Sequence, residues 1–435
     1  PDDHDVYHGN IWGNGGVATP PELGQGNEAQ DAGGYKMPAA WVNMVQRTQT
    51  SHLPDPFDPA PVAQGIGVYF TSLEYAGISF AILEDRKFKP APAPLLPEAE
   101  IDNGWPQNKT WDAKKKADVD GAVLLGERQL QFLGHWAQTW GDSTRMKVAL
   151  SQTIFANVAT LPASEFHDRI VPKLRIMNKG EYPPDDRPVT DFDSNGWPQT
   201  GRNEALRAMR KAFALHIAGD QHLGSVIQYG VDNWRDAGYA FCVPAVSNIW
   251  PRRWYPREGG RNRSPNAPRY TGDFEDGFGN KMAVLAVSNP IFTNWKPSRL
   301  YDRATGYGII RLNKKTRDIT LECWPRSFQR TREQTPQYPG WPVTFSQFDN
   351  YRPQSGVYLP ELHFTGIENP VVQVLDAVSK EIIFTVRISG TTFRPEVPFP
   401  GKYVVRAGWN TAKMQVVEGV ETENGDAATV MEVRF

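Results

Sequence analysis

Cysteine is scarce in this chain: Cys242 and Cys323 are the only two among 435 residues. They permit one disulfide without requiring it, which excludes a disulfide-built scaffold and leaves the redox compartment open. No apolar run is long enough to span a bilayer. An excess of one charge is also missing, since 47 basic and 49 acidic side chains leave a formal net charge of −2. That balance removes the global field by which a protein attracts nucleic acid or an anionic membrane. No long-period repeat is visible.

What is present is ordinary in bulk and unusual in detail. Hydrophobic residues make up 40% and charged residues 22%, as in a soluble globular protein, and the length points to two domains. The 14 Trp, 36 Pro and 38 Gly suggest long ordered loops with rigid turns laid over a core. Two N-x-S/T sequons, at Asn108 and Asn262, matter only where the source glycosylates.

The densest chemistry lies in Pro1-Asp2-Asp3-His4-Asp5-Val6-Tyr7-His8-Gly9-Asn10, followed by the turn Gly13-Asn14-Gly15-Gly16. Carboxylates and imidazoles are donors for hard and borderline metals, and a glycine-rich turn lets backbone approach an ion or phosphate. The competing reading is a solvated charged terminus. A second acidic-histidine cluster, Gly219-Asp220-Gln221-His222, weakens that competitor. Together the two clusters can bring carboxylates and imidazoles to one focus, a shell suited to Lewis-acid metals that activate water.

Between the clusters the pattern is α/β. Residues 19–64 read as a surface excursion with a helix near 39–46. Strands are expected at 77–83, 146–150, 212–218, 225–229 and 239–246. One helix begins at Gly126, with Phe132, Leu133, Trp136 and Trp140 on a single stripe, and another covers 203–211. Polar residues gather at successive strand ends, at Asp85-Arg86, Ser151-Gln152 and Asp220-Gln221-His222, the edge where α/β sheets bind ligands. The Arg-rich stretch 250–269 reads as a solvated loop rather than a nucleic-acid grip. Beyond it an antiparallel pair is expected at 307–312 and 318–324, and strands at 371–375, 381–388, 401–407 and 428–435 suggest a small β-sandwich. Glu361 and His363 read as a structural pair. Domains are placed at 1–336 and 337–435.

The segments DDHDVYHGNIWGNGG, FAILEDRKFK, LLGERQLQFL, MKVALSQTIF, DSNGWPQTGRNEALR and HIAGDQHLGSVIQYG, in this order, resemble the alkaline phosphatase D-like branch of the calcineurin-type metallophosphoesterases. The resemblance runs from Pro1 to about Arg326. It implies a four-layer α/β/β/α sandwich with a metal centre at the strand ends, hydrolysing phosphomonoesters or phosphodiesters. By that resemblance Asp3, Asp220 and His222 are metal ligands, and His4 contacts phosphate or protonates the leaving oxygen. Asn10 and Arg202 hold substrate. Two metal ions, iron and calcium with manganese or zinc as alternatives, and an extracytoplasmic location are further implications.

Two departures accompany the resemblance. Gln152 stands where the superfamily has a histidine. The earliest superfamily elements, including the bridging carboxylate, do not precede the first motif, so an upstream segment or second chain is expected to complete the site. The alternative is a non-catalytic assembly module of a phosphatase-like protein.

Overall fold

The computed structural model describes residues 1–7, 9–24, 26–326, 336–409, 411–425 and 429–435. His8, an imidazole of the opening cluster, and Ala428, at the start of the last expected strand, lie outside the described residues. The opening cluster forms one helical turn, α1 (Asp3–Val6), and the helix near residue 40 runs on as α2 (Ala39–Thr50). Next comes an antiparallel hairpin, β1 (Thr71–Tyr75) and β2 (Ile78–Ile82). Its two-residue turn, Ala76-Gly77, has positive φ at both positions, the geometry that matches strand twist.

Two strand-helix-strand units follow. Helix α3 (Gly126–Gln138) leads into β3 (Met146–Thr153), and α4 (Gln199–Arg210) leads into β4 (Leu215–Gly219). Strands β5 (Ser225–Tyr229), β6 (Tyr239–Cys242), β7 (Gly272–Glu275) and β8 (Lys281–Val287) complete one eight-stranded mixed sheet. Its order is β1-β2-β3-β4-β6-β5-β8-β7. Neighbours β2, β3, β4 and β6 run parallel, so their carboxyl ends share one edge.

Side chains alternate across the sheet, as a pleated strand buried on both faces requires. Ala81, Ala149, Ala218, Ile227 and Ala240 meet the apolar faces of α3 (Phe132, Leu133, Trp136) and α4 (Ala205, Leu206, Met209). Small residues on the strands leave room for large ones on the helices. Met146, Val148, Leu215, Val226 and Phe241 face the opposite way. They pack against a three-stranded antiparallel sheet, β9 (Gly306–Leu312), β10 (Asp318–Pro325) and β11 (Val343–Ser346), through Ile319, Leu321, Cys323 and Phe345. The chain is thus mixed α/β, with one large mixed sheet and several small ones. Residues 336 and 337, the expected domain division, fall between β10 and β11 of this small sheet.

The C-terminal strands are β12 (Glu361–Thr365), β13 (Val371–Asp376), β14 (Ile382–Arg387), β15 (Lys402–Ala407), β16 (Gln415–Glu421) and β17 (Val430–Arg434). Leu362, Phe364 and Val433 from one sheet share a core with Val372, Phe384, Val386 and Val405 from another, two sheets packed face to face. Trp140 and Phe213 belong to this same core. Helix α3 stops at Gln138, so Trp140 leaves the expected helical stripe and packs against the C-terminal sheets instead. His363 bonds Glu361 at 2.6 Å within β12. No helix among the described residues is long and apolar enough to cross a membrane.

Lys147 of β3 is fully buried under the end of α3. Its amine donates to the carbonyls of Trp136, Ala137 (3.3 Å) and Thr139 (2.8 Å), and lies against the Trp136 and Trp140 rings. The Trp136 carbonyl also accepts from the Thr139 amide at 3.3 Å, whereas the carbonyls of Ala137 and Thr139 depend on this amine. Burial pushes the Lys147 pKa well below its usual value, with Glu74 acting against the push. Lys147→Met is expected to cost about 2–3 kcal/mol by orphaning the Ala137 and Thr139 carbonyls. A urea midpoint shifted by less than 1 kcal/mol equivalent, on that scale, would refute this.

Candidate functional site

The shared edge of the parallel strands carries the polar residues. Strand β2 runs out into Glu84-Asp85-Arg86, β3 ends at Gln152-Thr153, and β4 passes into Asp220-Gln221-His222. Asp220 and His222 both adopt positive φ, 67° and 55°. Such backbone is uncommon outside glycine and gathers at functional sites.

The glycine-rich turn docks on this edge. Gly13 and Gly15 donate to the carbonyls of Arg86 and Lys87 at 2.9 Å each, and Asn14 donates to Lys89 at 3.0 Å. A Cβ on Gly13 would stand 2.6 Å from the Lys87 carbonyl oxygen, so only glycine permits the approach. The turn therefore serves as a backbone-to-backbone clasp that fixes the opening cluster over the strand ends. Sequence reading assigned its close approach to an ion or phosphate; the partner seen is the chain itself.

Asp3, Asp2 and Asp220 meet there, with one carboxylate oxygen from each within 4.8 Å of the others. Asp3 is buried; its Oδ1 accepts from the His4 amide (3.0 Å) and the Gln152 side-chain amide (3.1 Å), while its Oδ2 has no hydrogen-bond partner. Burial pushes the Asp3 carboxyl well above its ordinary range, with Arg86 acting against the push. Burial and the charge of Asp220 raise Asp2 as well. Asp220 Oδ2 accepts from Thr153 Oγ1 at 2.6 Å and from Arg86 Nη2 at 2.8 Å.

Arg86 is the internal counter-charge. Its guanidinium bonds Asp193 and Asp220 and lies 4.0 Å from Asp3. Although burial favours the neutral form, those three carboxylates keep the Arg86 pKa well above its usual value. Against the same upward push of burial, Arg86 holds the Asp193 carboxyl below its ordinary value. Behind this layer Asp85 accepts from the amides of Gln152 (3.1 Å) and Thr153 (2.9 Å) and from Asn195. Lys89 donates to Phe192 O (2.8 Å), Ser194 O (2.9 Å) and Asn195 Oδ1 (3.3 Å), holding the 192–195 loop in place.

The Gln152 segment is anchored from the core. His216 bonds Ser151 Oγ through Nε2 and Tyr229 OH through Nδ1, both at 2.8 Å. Tyr229 OH accepts from the Phe155 amide, and Ser151 donates to Thr153 O, so His216 donates from Nε2 and accepts at Nδ1. Burial lowers its pKa to about 3, which fits this neutral tautomer.

The remaining expected residues are placed as follows. His4 is exposed on α1. His222 is largely enclosed; its pKa is lowered by burial and then by Arg252, and its Nδ1 is buried without a hydrogen-bond partner. Asn10 donates to Asn103 O at 3.4 Å. Arg202 is buried with its guanidinium committed to the carbonyls of Phe155 (2.8 Å), Gly230 (2.9 Å) and Lys281 (3.3 Å). Asp2, Arg86, Thr153 and Asp193 were given no site role from sequence, although Asp2 lies in the opening cluster. The polar strand end Asp85-Arg86 was the visible signal for Arg86.

The donor set fits a cation. A buried Asp3 oxygen without a hydrogen-bond partner, in a trio of carboxylates of which burial favours protonation of two, describes a place where added positive charge is stabilised; the ring nitrogens of His222 stand outside that trio. Lys89 and Arg252 act on Asp193 from behind, and Arg252 on Asp220 as well, which leaves Arg86 as the cation beside Asp3.

Near Asn10, Asp31 accepts the amides of Asn103 (2.6 Å) and Gly104 (3.0 Å), and burial raises its pKa from 3.8 to about 6. A pKa raised in the folded state means that its stabilising share is complete below pH 3.8 and lost as pH rises through 6. Asp31→Asn is therefore expected to flatten the fall in stability between pH 4 and 7 by up to about 3 kcal/mol. Urea unfolding across that range tests it; parallel curves for both proteins would refute it.

No family model matches the chain, and no curated protein matches it. A solved structure of PhoD aligns over 79% of this chain and 50% of its own length, with a TM-score of 0.40 and 14% identity. The chain spans about half the length of that structure.

Proposed function

We propose that the strand-end cluster is the metal site of a phosphate-ester hydrolase. The observation that carries this reading is the meeting of Asp2 and Asp3, from the start of the chain, with Asp220, from the end of β4. The segments that resemble alkaline phosphatase D-like metallophosphoesterases are the ones that supply these residues, and the four-layer sandwich belongs to the same proposal. Asp3 and Asp220 would hold the metal, joined by Asp2, and His222, two residues beyond Asp220, would be the nitrogen donor. A site richest in carboxylate oxygen suits calcium or manganese, and an imidazole extends the range to iron or zinc. A metal bound there supplies Lewis acidity to a phosphoryl oxygen and makes water a stronger nucleophile near neutral pH.

The chain's own residues do the rest. Gln152 and the His4 amide orient Asp3, and Thr153 with Arg86 orients Asp220. Arg86 limits the repulsion among the carboxylates, so the site keeps its shape. His4, exposed beside the cluster, delivers a proton to the leaving oxygen, and Asn10 holds substrate. Arg202, with its donors committed to carbonyls, supports the Phe155 loop within this scheme. An open cleft lined by Pro1, Asp2, Asp5, Tyr69, Gln152 and Asp220 admits the ester.

The test is elemental analysis of protein purified without chelator, with turnover of an aryl phosphate monoester and a bis-aryl diester. Bound metal and chelator-sensitive turnover are expected. A metal-loaded protein inert towards both esters would favour the non-catalytic module instead.

A further inference from the structure

A second concavity lies between the Trp105–Trp111 segment and the chain around Phe166 and Arg187, and it is lined by three aromatic rings, Trp105, Trp111 and Phe166. Two cations converge on it. Lys109 Nζ stands 5.2 Å from the centre of the Phe166 ring, and the Arg187 guanidinium stands 4.7 Å from it. Among the described residues neither is paired with a carboxylate; Arg187 gives one hydrogen bond, to the carbonyl of Glu165 at 3.3 Å. Burial lowers the Arg187 pKa, and no neighbouring carboxylate opposes that fall.

A ring face attracts a cation but does not neutralise it, and it leaves the N–H donors unused. Two like charges gathered on one ring in a half-enclosed place repel each other until an anion joins them. Glu165 is a third charged residue of the lining, so the net charge of the concavity suits a single negative charge better than two. Aromatic walls favour a flat unsaturated body, which stacks offset or edge-on at little entropic cost.

We propose that this concavity is a binding site for a flat aromatic monoanion, an aromatic carboxylate in the simplest case, with Lys109 and Arg187 taking the anionic end. The site is separate from the hydrolase reading and does not depend on it.

Calorimetric titration with benzoate, benzamide and inorganic phosphate, followed in parallel by tryptophan fluorescence, tests the proposal. Benzoate is expected to bind saturably at millimolar concentration or below, with benzamide and phosphate at least tenfold weaker. Lys109→Gln and Arg187→Gln should each weaken benzoate about tenfold, the loss of one charged hydrogen bond. Arg187 is half-buried, so Lys109→Gln, at an exposed position, keeps the test sound if the arginine variant misfolds. Benzoate that fails to saturate by about 10 mM, on the scale of small-ligand affinities, overturns the proposal. So does benzamide or phosphate binding equally well, or unchanged affinity in a folded Lys109→Gln protein.

Discussion

Arg86→Met is expected to lower the unfolding free energy by about 3–5 kcal/mol at pH 7, the cost of leaving buried charge uncompensated. Arg86 is buried and faces Asp3, Asp193 and Asp220 at once. Methionine keeps most of the volume and removes the charge, so the loss reports electrostatics rather than a cavity. The sign of its pH dependence is fixed by Asp193, whose pKa Arg86 depresses against the push of burial. That share of stability exists above the unfolded pKa and disappears as pH falls through the folded one. The gap between variant and parent should therefore narrow below about pH 4, where the carboxylates take up protons. Arg86→Lys should recover only part of the loss, because one ammonium cannot reproduce the planar fork that serves two carboxylates. Guanidinium denaturation at pH 7 and pH 3.5 reads both effects. A variant within 1 kcal/mol of the parent at pH 7 would show that the carboxylates do not need this counter-charge.

Asp220→Asn is expected to reduce phosphate-ester turnover by at least about a hundredfold, the upper range for disturbing even the groups around a metal. The substitution preserves shape, and the amide oxygen can still accept from Thr153 Oγ1 or Arg86. What it removes is one unit of negative charge from the cluster. Metal content should fall together with the rate, while the near-UV circular dichroism stays that of the parent. Glu361→Gln, in the C-terminal sheets, serves as the comparison and should leave turnover unchanged. A folded Asp220→Asn protein that keeps more than a tenth of the parental rate at saturating metal would remove Asp220 from the proposed chemistry.

The large sheet was partly legible because buried strands leave short apolar runs that end in polar residues. Ile78–Ile82, Met146–Thr153 and Ser225–Tyr229 follow that rule. The hairpin strand Thr71–Tyr75 did not, because Ser72, Glu74 and Tyr75 at the sheet edge face solvent and erase the apolar signal. Strand Lys281–Val287 was also passed over, although Met282 to Val284 are buried. Helix α4 begins at Gln199, ahead of the expected Asn203, since its first turn contains Thr200 and Gly201, which carry little helical signal.

At the site, Asp3 and Asp220 could be paired from motif order, but the pairing of Arg86 with Asp193 could not. Sequence shows which charges exist, and only the crossing of loop 192–195 over the end of β2 shows which ones face each other. The same limit applies to Arg202, whose motif position gives no hint that backbone carbonyls occupy its guanidinium.

The parallel alignment of β2, β3 and β4 has a consequence for how this chain tolerates change. Each strand delivers its polar residues within a few positions of its own last ladder bond, so their placement is set by strand register and not by the long excursions between strands. Insertions in the surface loop around residues 178–185 should leave the cluster unmoved. One residue added between Gly219 and His222 would turn Asp220 away from Thr153. Variation in length is thus partitioned from chemistry: the parts of the excursions away from the site are free to diverge in size, and the few residues after each strand, with the 192–195 loop that pairs with them, are not.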